Sequence, residues 1–258
     1  MPQLILARVS DITATCSTWT GLSHSQLESV IRQVRSKRGR GRPWNRTLDD
    51  RVLIACTGLR TNLTIRELAA AFSISKSQAH RIVADLTSRL AALLDRTVDR
   101  DRRWSWVVDG TLVPTRDHQA AAKSKNYRWS CNAQIVVRRA DLSVVAVAAG
   151  GSGNRNDVVH YRGSNVEIMC RHHRRVLADG GYRGIPELIT PVFRNNRIVR
   201  NRAWRRHRRR RARVEHAIAR LKDWRVLRDH RRRGQHLSAT VRAVAFLHNL
   251  RIKLRDNT

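Results

Sequence analysis

The spacing of apolar residues changes character near residue 104. Before it, apolar positions recur every three or four residues, as in amphipathic helices, over residues 22–35 and in three segments within residues 47–94. After it, short apolar runs and alternation predict strands. The predicted strands are WSWVVDGTLVP, RWSCNAQIVVRR, LSVVAVAAGGSG and the RRVLA run that precedes Asp179. Three later segments are again predicted to be helical. They are IPELITPVF, an arginine-rich stretch that ends in LKDWRVL, and LSATVRAVAFLHNLRIKL.

The order of these elements predicts two kinds of structure in one chain. Three successive strands, a fourth strand and then helices are typical of an α/β domain whose mixed sheet is flanked by helices. The helices before them predict an all-α domain. We therefore divide the chain into an N-terminal helical segment with a basic linker (1–46), a helical domain with a charged linker (47–103) and an α/β domain (104–258).

Two predicted helix starts lie close together. Thr64 is followed by Glu67, and Ser75 by Gln78, so each pair can form a capping box. The turn SIS joins the two helices and a third helix precedes them, which is the helix-turn-helix arrangement; an ordinary three-helix bundle fits the same text. In a helix-turn-helix, the early exposed positions of the second helix contact phosphates or base edges. Those positions are Lys76, Ser77, Gln78, His80 and Arg81.

The net charge indicates which class of molecule the protein binds. The chain has 52 Lys and Arg against 20 Asp and Glu, a net charge of +32. Arg carries most of it, and its planar fork binds phosphate through two hydrogen bonds. Nucleic acid is therefore the expected partner. A membrane surface is the alternative, but the basic helices lack a clean apolar opposite face. No apolar run is long enough to span a bilayer, and we expect a cytoplasmic, nucleoid-associated protein.

A basic segment, SKRGRGRPW, follows the first long predicted helix. Its glycines and proline disfavour regular structure. The RGRP core is similar to an AT-hook, in which Arg40 and Arg42 would enter a narrow minor groove; a hinge that contacts phosphates fits as well. The four cysteines are far apart in sequence, which predicts isolated buried thiols rather than a zinc site or a disulfide framework.

Acids are scarce in the α/β part, and three of them are suggestively placed. Asp109 comes where the WSWVV strand ends, Asp179 follows RRVLA, and Glu215 lies on the arginine-rich helix. Strand ends and a helix can converge on one edge of an α/β sheet. Carboxylates that face nucleic acid need a neutralising cation, and Mg²⁺ prefers oxygen ligands. Two such ions would clamp a phosphodiester for in-line attack. On helix spacing alone, a surface ion pair with Arg211 explains the presence of Glu215 as well as metal binding does.

Five short sequence motifs, taken together, resemble those of a known protein family. They are DGTLVPTRDH, SKNYRWSCNAQIVV, GSGNRNDVV, LADGGYRG and RARVEHAIARLKDWRVLRD, behind RGRPW and RTNLTIRELAAAFSISKSQAHRI. Together they resemble the DDE transposases of bacterial insertion sequences, most closely the insertion sequence five group, over roughly residues 40–250. The resemblance implies a helix-turn-helix domain in front of an RNase H-like catalytic domain.

The family's pattern also implies residue roles. Its catalytic, metal-binding triad matches Asp109, Asp179 and Glu215, with Mg²⁺ or Mn²⁺ as the cofactor. Asp157, in GNRND, matches a motif acid that would cap a helix, hold the catalytic residues in place or take part in catalysis directly. A further strand motif, which we assign to packing and DNA contact, matches Asn126, Tyr127 and Asn132.

The resemblance predicts a DNA transposase that binds the terminal inverted repeats of its element and works as a homo-oligomer on DNA. It would hydrolyse a phosphodiester at the element end and then join the freed 3′-hydroxyl to target DNA. The arginines near Glu215 would position double-stranded DNA; they include Arg208, Arg209 and Arg211. A decayed or repurposed copy that binds DNA without cutting it is one alternative. An RNA-associated basic protein is another, although the aromatic content is only 5%.

Overall fold

The computed structural model describes residues 15–35, 44–97, 103–123, 128–233 and 236–253. The N-terminal part is helical. Its helices are α1 (Thr15–Thr20), α2 (His24–Val34), α3 (Leu48–Thr61), α4 (Ile65–Ala71) and α5 (Lys76–Thr97).

The C-terminal part combines strands and helices. The strands are β1 (Trp106–Pro114), β2 (Ala122–Lys123), β3 (Trp129–Arg138), β4 (Val144–Ser152), β5 (Val176–Leu177), β6 (Leu188–Ile189), β7 (Phe193–Arg194) and β8 (Arg197–Ile198). The helices are α6 (Asp157–Tyr161), α7 (Asn165–Arg171), α8 (Arg202–Lys222) and α9 (His236–Lys253), with 3₁₀ turns at Gly180–Tyr182 and Arg225–Leu227.

Local hydrogen bonds explain where the first helices begin. The predicted capping box at Thr64 and Glu67 forms in both directions. At Ser75 the hydroxyl accepts the backbone N–H of Gln78, while the Gln78 side chain donates to Asn45 instead of closing the box. Helix α3 ends at Asn62, whose left-handed φ of 58° stops the helix. These contacts fix the tight α4–α5 turn that the sequence predicts.

The main sheet has six strands and mixes both directions. β1 pairs antiparallel with β3 and parallel with β5, and β5 pairs parallel with β6. β2 and β4 both pair antiparallel with β3. The predicted class, a mixed sheet flanked by helices and preceded by helices, is therefore confirmed.

The two faces of the sheet bury different helices, because successive side chains of a strand point to opposite sides. Trp106 and Val108 of β1 pack with Tyr161 of α6 and Val166 of α7. Val107 belongs to the larger cluster, which also holds residues of α8 and α9. That cluster continues into the N-terminal helices, and α5 packs along α9. The helical part and the sheet thus share one apolar core.

Two sequence predictions about this part were wrong. The helix predicted over residues 185–193 is absent; the segment instead supplies β6, and Ala178 donates its backbone N–H to the carbonyl of Ile189. Pro186 and Pro191 lack a backbone N–H, which disfavours a helix there. Asp109 was expected where a strand ends, but β1 continues to Pro114 and only the pairing with β5 stops before Asp109.

Candidate active site

Asp109 and Asp179 lie on neighbouring parallel strands. β1 and β5 pair Trp106 with Val176 and Val107 with Leu177. Two residues further along each strand, the same register reaches Asp109 and Asp179. Asp179 also caps the 3₁₀ turn that follows, since its carboxylate accepts the backbone N–H of Gly181 at 2.8 Å. The sheet therefore brings the first two predicted triad residues together.

Burial and nearby charges shift the pKa of Asp109. Its side chain is only 14% exposed, and burial is the largest of the effects that raise its pKa to about 6. The nearby carboxylates of Asp179 and Asp157 raise the pKa further, whereas Arg211 lowers it. Three acids thus act on one small volume, which is the electrostatic setting that a cation relieves.

Asp157 approaches Asp109 from the other face of the sheet. Gly110 follows Asp109 and points toward α6, where a Cβ atom would meet the Asp157 carboxylate oxygen Oδ1 at 1.7 Å. Because Gly110 has no side chain, Asp157 can reach the strand. There its Oδ1 accepts hydrogen bonds from Asn132 Nδ2 at 2.7 Å and Gln134 Nε2 at 3.0 Å. Asp157 is the first residue of α6, so the contact also anchors that helix.

Tyr182 connects the Asp157 contact to the turn that Asp179 begins. Its side chain is fully buried, and its hydroxyl donates to Oε1 of the equally buried Gln134. Burial is the main cause that raises the pKa of Tyr182, followed by the charges of Asp157, Asp109 and Asp179. A continuous chain of hydrogen bonds therefore runs from the β5 turn through β3 to α6.

Helix α8 presents two polar side chains, one turn apart, toward this edge. His207 Nε2 lies 2.9 Å from the carbonyl oxygen of Ala178, the residue before Asp179, and burial lowers the pKa of His207. Arg211 donates from Nη2 to Asp109 Oδ2 at 2.9 Å. Arg211 is therefore not the partner of Glu215, and the surface ion pair considered from the sequence is wrong.

Glu215 is exposed, one helical turn beyond Arg211. In the part of the chain that the structure describes, no three His, Cys, Asp or Glu side chains are gathered as a metal-binding group. Arg211, rather than a third carboxylate, lies against Asp109. The structure thus brings two of the three predicted triad residues together and leaves the third at the surface of the same helix.

Exposed arginines extend from this site along the first half of α8. The side chains of Arg208 and Arg209 are exposed. Arg208 also stacks over the ring of Trp204, as does Arg200, at 5.7 and 5.8 Å from the ring centroid. This row gives the helix a strongly basic outer surface.

The predicted DNA-contacting positions on α5 have the expected exposure, with one exception. Lys76, Ser77, His80 and Arg81 are exposed. Gln78 is half-buried and its side chain bonds to Asn45. Ala79, Ile82, Val83 and Leu86 point inward and are buried.

Trp44, at the end of the basic segment SKRGRGRPW, lies near the start of α5. The ring of Trp44 lies between the guanidinium groups of Arg51 and Arg81, each 4.7 Å from its centroid. The predicted basic contacts Arg40 and Arg42 lie outside the described residues, as do Asn126 and Tyr127. Cys56, Cys131 and Cys170 are buried free thiols, as predicted. None of the described helices is long and apolar enough to cross a membrane.

Comparison with known proteins identifies the family. A model of the transposase DDE domain matches residues 103–250. The putative transposase for insertion sequence element IS112 from Streptomyces albus G is 38% identical over 252 residues, which are 93% of this chain and 97% of that protein. The chain belongs to the DDE transposase family. No solved structure matches the transposase significantly, and the matches do not assign it to the insertion sequence five group.

The transposase has site features that sequence reasoning missed. Gly110, Gln134, Tyr182 and His207 were not predicted, although all four contact or position residues of the site. Gly110 and Tyr182 lie inside the quoted motifs DGTLVPTRDH and LADGGYRG. The non-acidic positions of those motifs could therefore have pointed to them as site residues. Asn132, which the sequence assigned to packing and DNA contact, is buried and donates a hydrogen bond to Asp157.

Proposed function

We propose that this DNA transposase cuts and joins DNA with divalent metal ions, Mg²⁺ or Mn²⁺, held by Asp109, Asp179 and Glu215. The observation that supports it most is the parallel β1–β5 register, which extends to Asp109 and Asp179 beneath α8. When bound, a pair of such ions activates a water or 3′-hydroxyl and stabilises the leaving oxygen.

The available donors fit hard divalent ions. Carboxylate oxygens are their preferred ligands. Burial is the main cause of the raised pKa of Asp109, and the nearby carboxylates of Asp179 and Asp157 raise it further, so a divalent cation would stabilise the charged form of Asp109. Glu215 lies on the helix that already contacts Asp109, one turn further along. A change in side-chain rotamers on α8, with Arg211 leaving Asp109, would bring the third carboxylate toward the other two.

The remaining residues have separable roles in this proposal. Residues 47–103 recognise terminal inverted repeats through Lys76, Ser77, Gln78, His80 and Arg81, with Arg40 and Arg42 in the adjacent minor groove. Residues 104–258 carry the reaction, and Arg208, Arg209 and Arg211 contact the DNA backbone. Asp157 supports β1 and is not a metal ligand, because it lies on the opposite face of the sheet. A homo-oligomer joins the two element ends.

Cleavage of the element's own ends tests the proposal. The substrate is a duplex with the terminal repeat that flanks the gene, incubated with Mg²⁺. Asp109→Asn and Glu215→Gln should abolish cutting and leave repeat binding unchanged. Asp223→Asn is the matched control: it changes the charge equally at a half-buried residue just after α8, which pairs with Arg228, and it should cut like the wild type. Normal cutting by Asp109→Asn would overturn the assignment.

The alternative is a protein that binds the repeats without cutting them. One observation favours it: no three metal-binding side chains are gathered among the described residues, and Arg211 lies against Asp109. The same assay separates the two functions, because a pure binding protein retains the repeats but leaves the wild-type duplex intact at every Mg²⁺ concentration.

A further inference from the structure

Arg211 is the positive charge that Asp109 meets in the absence of DNA. The two side chains are 16% and 14% exposed, and one hydrogen bond of 2.9 Å joins Arg211 Nη2 to Asp109 Oδ2. The other carboxylate oxygen accepts the backbone N–H of Gly110 at 3.1 Å. The pair is therefore held through one point and not through the two-pronged contact that makes Arg–carboxylate pairs strong.

The Arg211 side chain is incompletely satisfied in this pair. Its Nε atom is buried and has no hydrogen-bond partner among the described residues. An unmade hydrogen bond at a buried charged group costs free energy. A partner with two acceptor oxygens at the right spacing would satisfy the fork better than Asp109 does, and a phosphate group has that geometry.

The surroundings of Arg211 provide such a partner when DNA is bound. Arg211 belongs to α8, and the exposed Arg208 and Arg209 precede it by three and two residues, less than one helical turn. A DNA backbone that lies along this row places phosphates within reach of the next basic residue on the helix. Arg211 is then attracted away from Asp109 and toward a phosphate of the DNA backbone.

A divalent cation and Arg211 compete for the same place. Asp109 can hold Arg211 or a metal ion at Oδ2, and the two positive charges would repel each other across a few ångströms. Without Arg211 or a metal ion, Asp109 loses the positive charge that offsets the nearby carboxylates of Asp179 and Asp157. Metal binding and the departure of Arg211 therefore favour each other.

We propose that Arg211 is a positioning residue that couples metal binding to DNA binding. In free protein it holds Asp109 and weakens metal binding; on DNA it moves to a phosphate and releases Asp109. The inference rests on the proposed metal site. Coupling of this kind is reciprocal, so the metal must strengthen DNA binding by the same factor as DNA strengthens metal binding.

Mn²⁺ titration followed by electron paramagnetic resonance tests the coupling, with and without saturating terminal-repeat duplex. In the wild type, DNA should raise Mn²⁺ affinity by about 5- to 150-fold, the range of typical coupling energies. Arg211→Gln should bind Mn²⁺ about that much more tightly without DNA, and DNA should then add little. Arg211→Lys keeps the charge and should stay near the wild type. Arg220→Gln removes an exposed arginine from the same helix and is the control.

Asp109→Asn in the same mixtures measures the Mn²⁺ held by DNA itself and separates the two ideas. If Asp109→Asn binds Mn²⁺ like the wild type, the metal site is wrong and the proposed function fails with it. If Asp109→Asn loses Mn²⁺ while Arg211→Gln matches Arg220→Gln without DNA, the site stands and the coupling role of Arg211 is refuted.

Discussion

Gly110 is the position at which the sheet admits Asp157, so Gly110→Ala tests the geometry of the site directly. The added Cβ would lie 1.7 Å from Asp157 Oδ1, 2.4 Å from its Cγ and 2.9 Å from Gln134 Nε2. Atoms do not approach so closely, and Asp157 must move by more than an ångström. It then loses its hydrogen bonds from Asn132 and Gln134.

The expected cost follows from those two hydrogen bonds. A hydrogen bond to a charged group contributes about 1.5–3 kcal/mol. Asp157 is half-buried, so water replaces part of what it loses. We therefore expect Gly110→Ala to lower the free energy of unfolding by about 2–4 kcal/mol, within the range of overpacked or broken buried contacts. In a chain of this length each kcal/mol changes Tm by about 2–4 °C.

Urea denaturation of four proteins isolates the contact: wild type, Gly110→Ala, Asp157→Ala and the double variant. Asp157→Ala removes the atoms that the new Cβ would strike. The coupling between the two substitutions should therefore reach about 1.5–3 kcal/mol, as expected for residues in direct contact. If Gly110→Ala costs the same in both backgrounds, Asp157 does not occupy the space above Gly110 and the described network is wrong.

Three further results are expected. Tyr182→Phe leaves the buried Gln134 Oε1 without its donor and should lower the free energy of unfolding by about 1–3 kcal/mol in urea; an unchanged midpoint would contradict the network. Burial lowers the pKa of His248 to about 4. Neutral His248 therefore stabilises the fold fully above about pH 6.5, and up to about 3 kcal/mol is lost as the pH falls toward 4. In His248→Gln, stability measured across this range should fall less steeply. Lys76→Gln should reduce the slope of log Kd against log salt by about one for repeat DNA, and an unchanged slope would remove Lys76 from the phosphate contacts.

Short-range features of the fold were predictable because their causes are local. The capping box at Thr64 and Glu67 depends on residues three apart, and the first strand was predictable from its own run of strand-forming residues. The IPELITPVF segment was mispredicted because β6 depends on pairing with β5, which no local pattern records.

The acids of the site could be named from motifs, but not their partners. The Arg211–Asp109 contact joins residues that are 102 positions apart, and the Asn132–Asp157 contact joins residues 25 apart. Such contacts depend on strand register and on the rotation of α8. Helix spacing correctly placed Arg211 and Glu215 on one face, yet it could not show that the sheet supplies a competing carboxylate.

The rotation of α8 decides which of its side chains contact the sheet. Val214, Ala217 and Leu221 are buried and fix which side of the helix faces the sheet. That orientation places His207 and Arg211 against the sheet where it carries Asp179 and Asp109, and it leaves Glu215, four residues beyond Arg211, exposed. The first holds the backbone before Asp179, and the second holds Asp109. In the proposed function, Glu215 therefore joins the site only when Arg211 leaves Asp109, and the exposed arginines that precede it on the helix contact DNA.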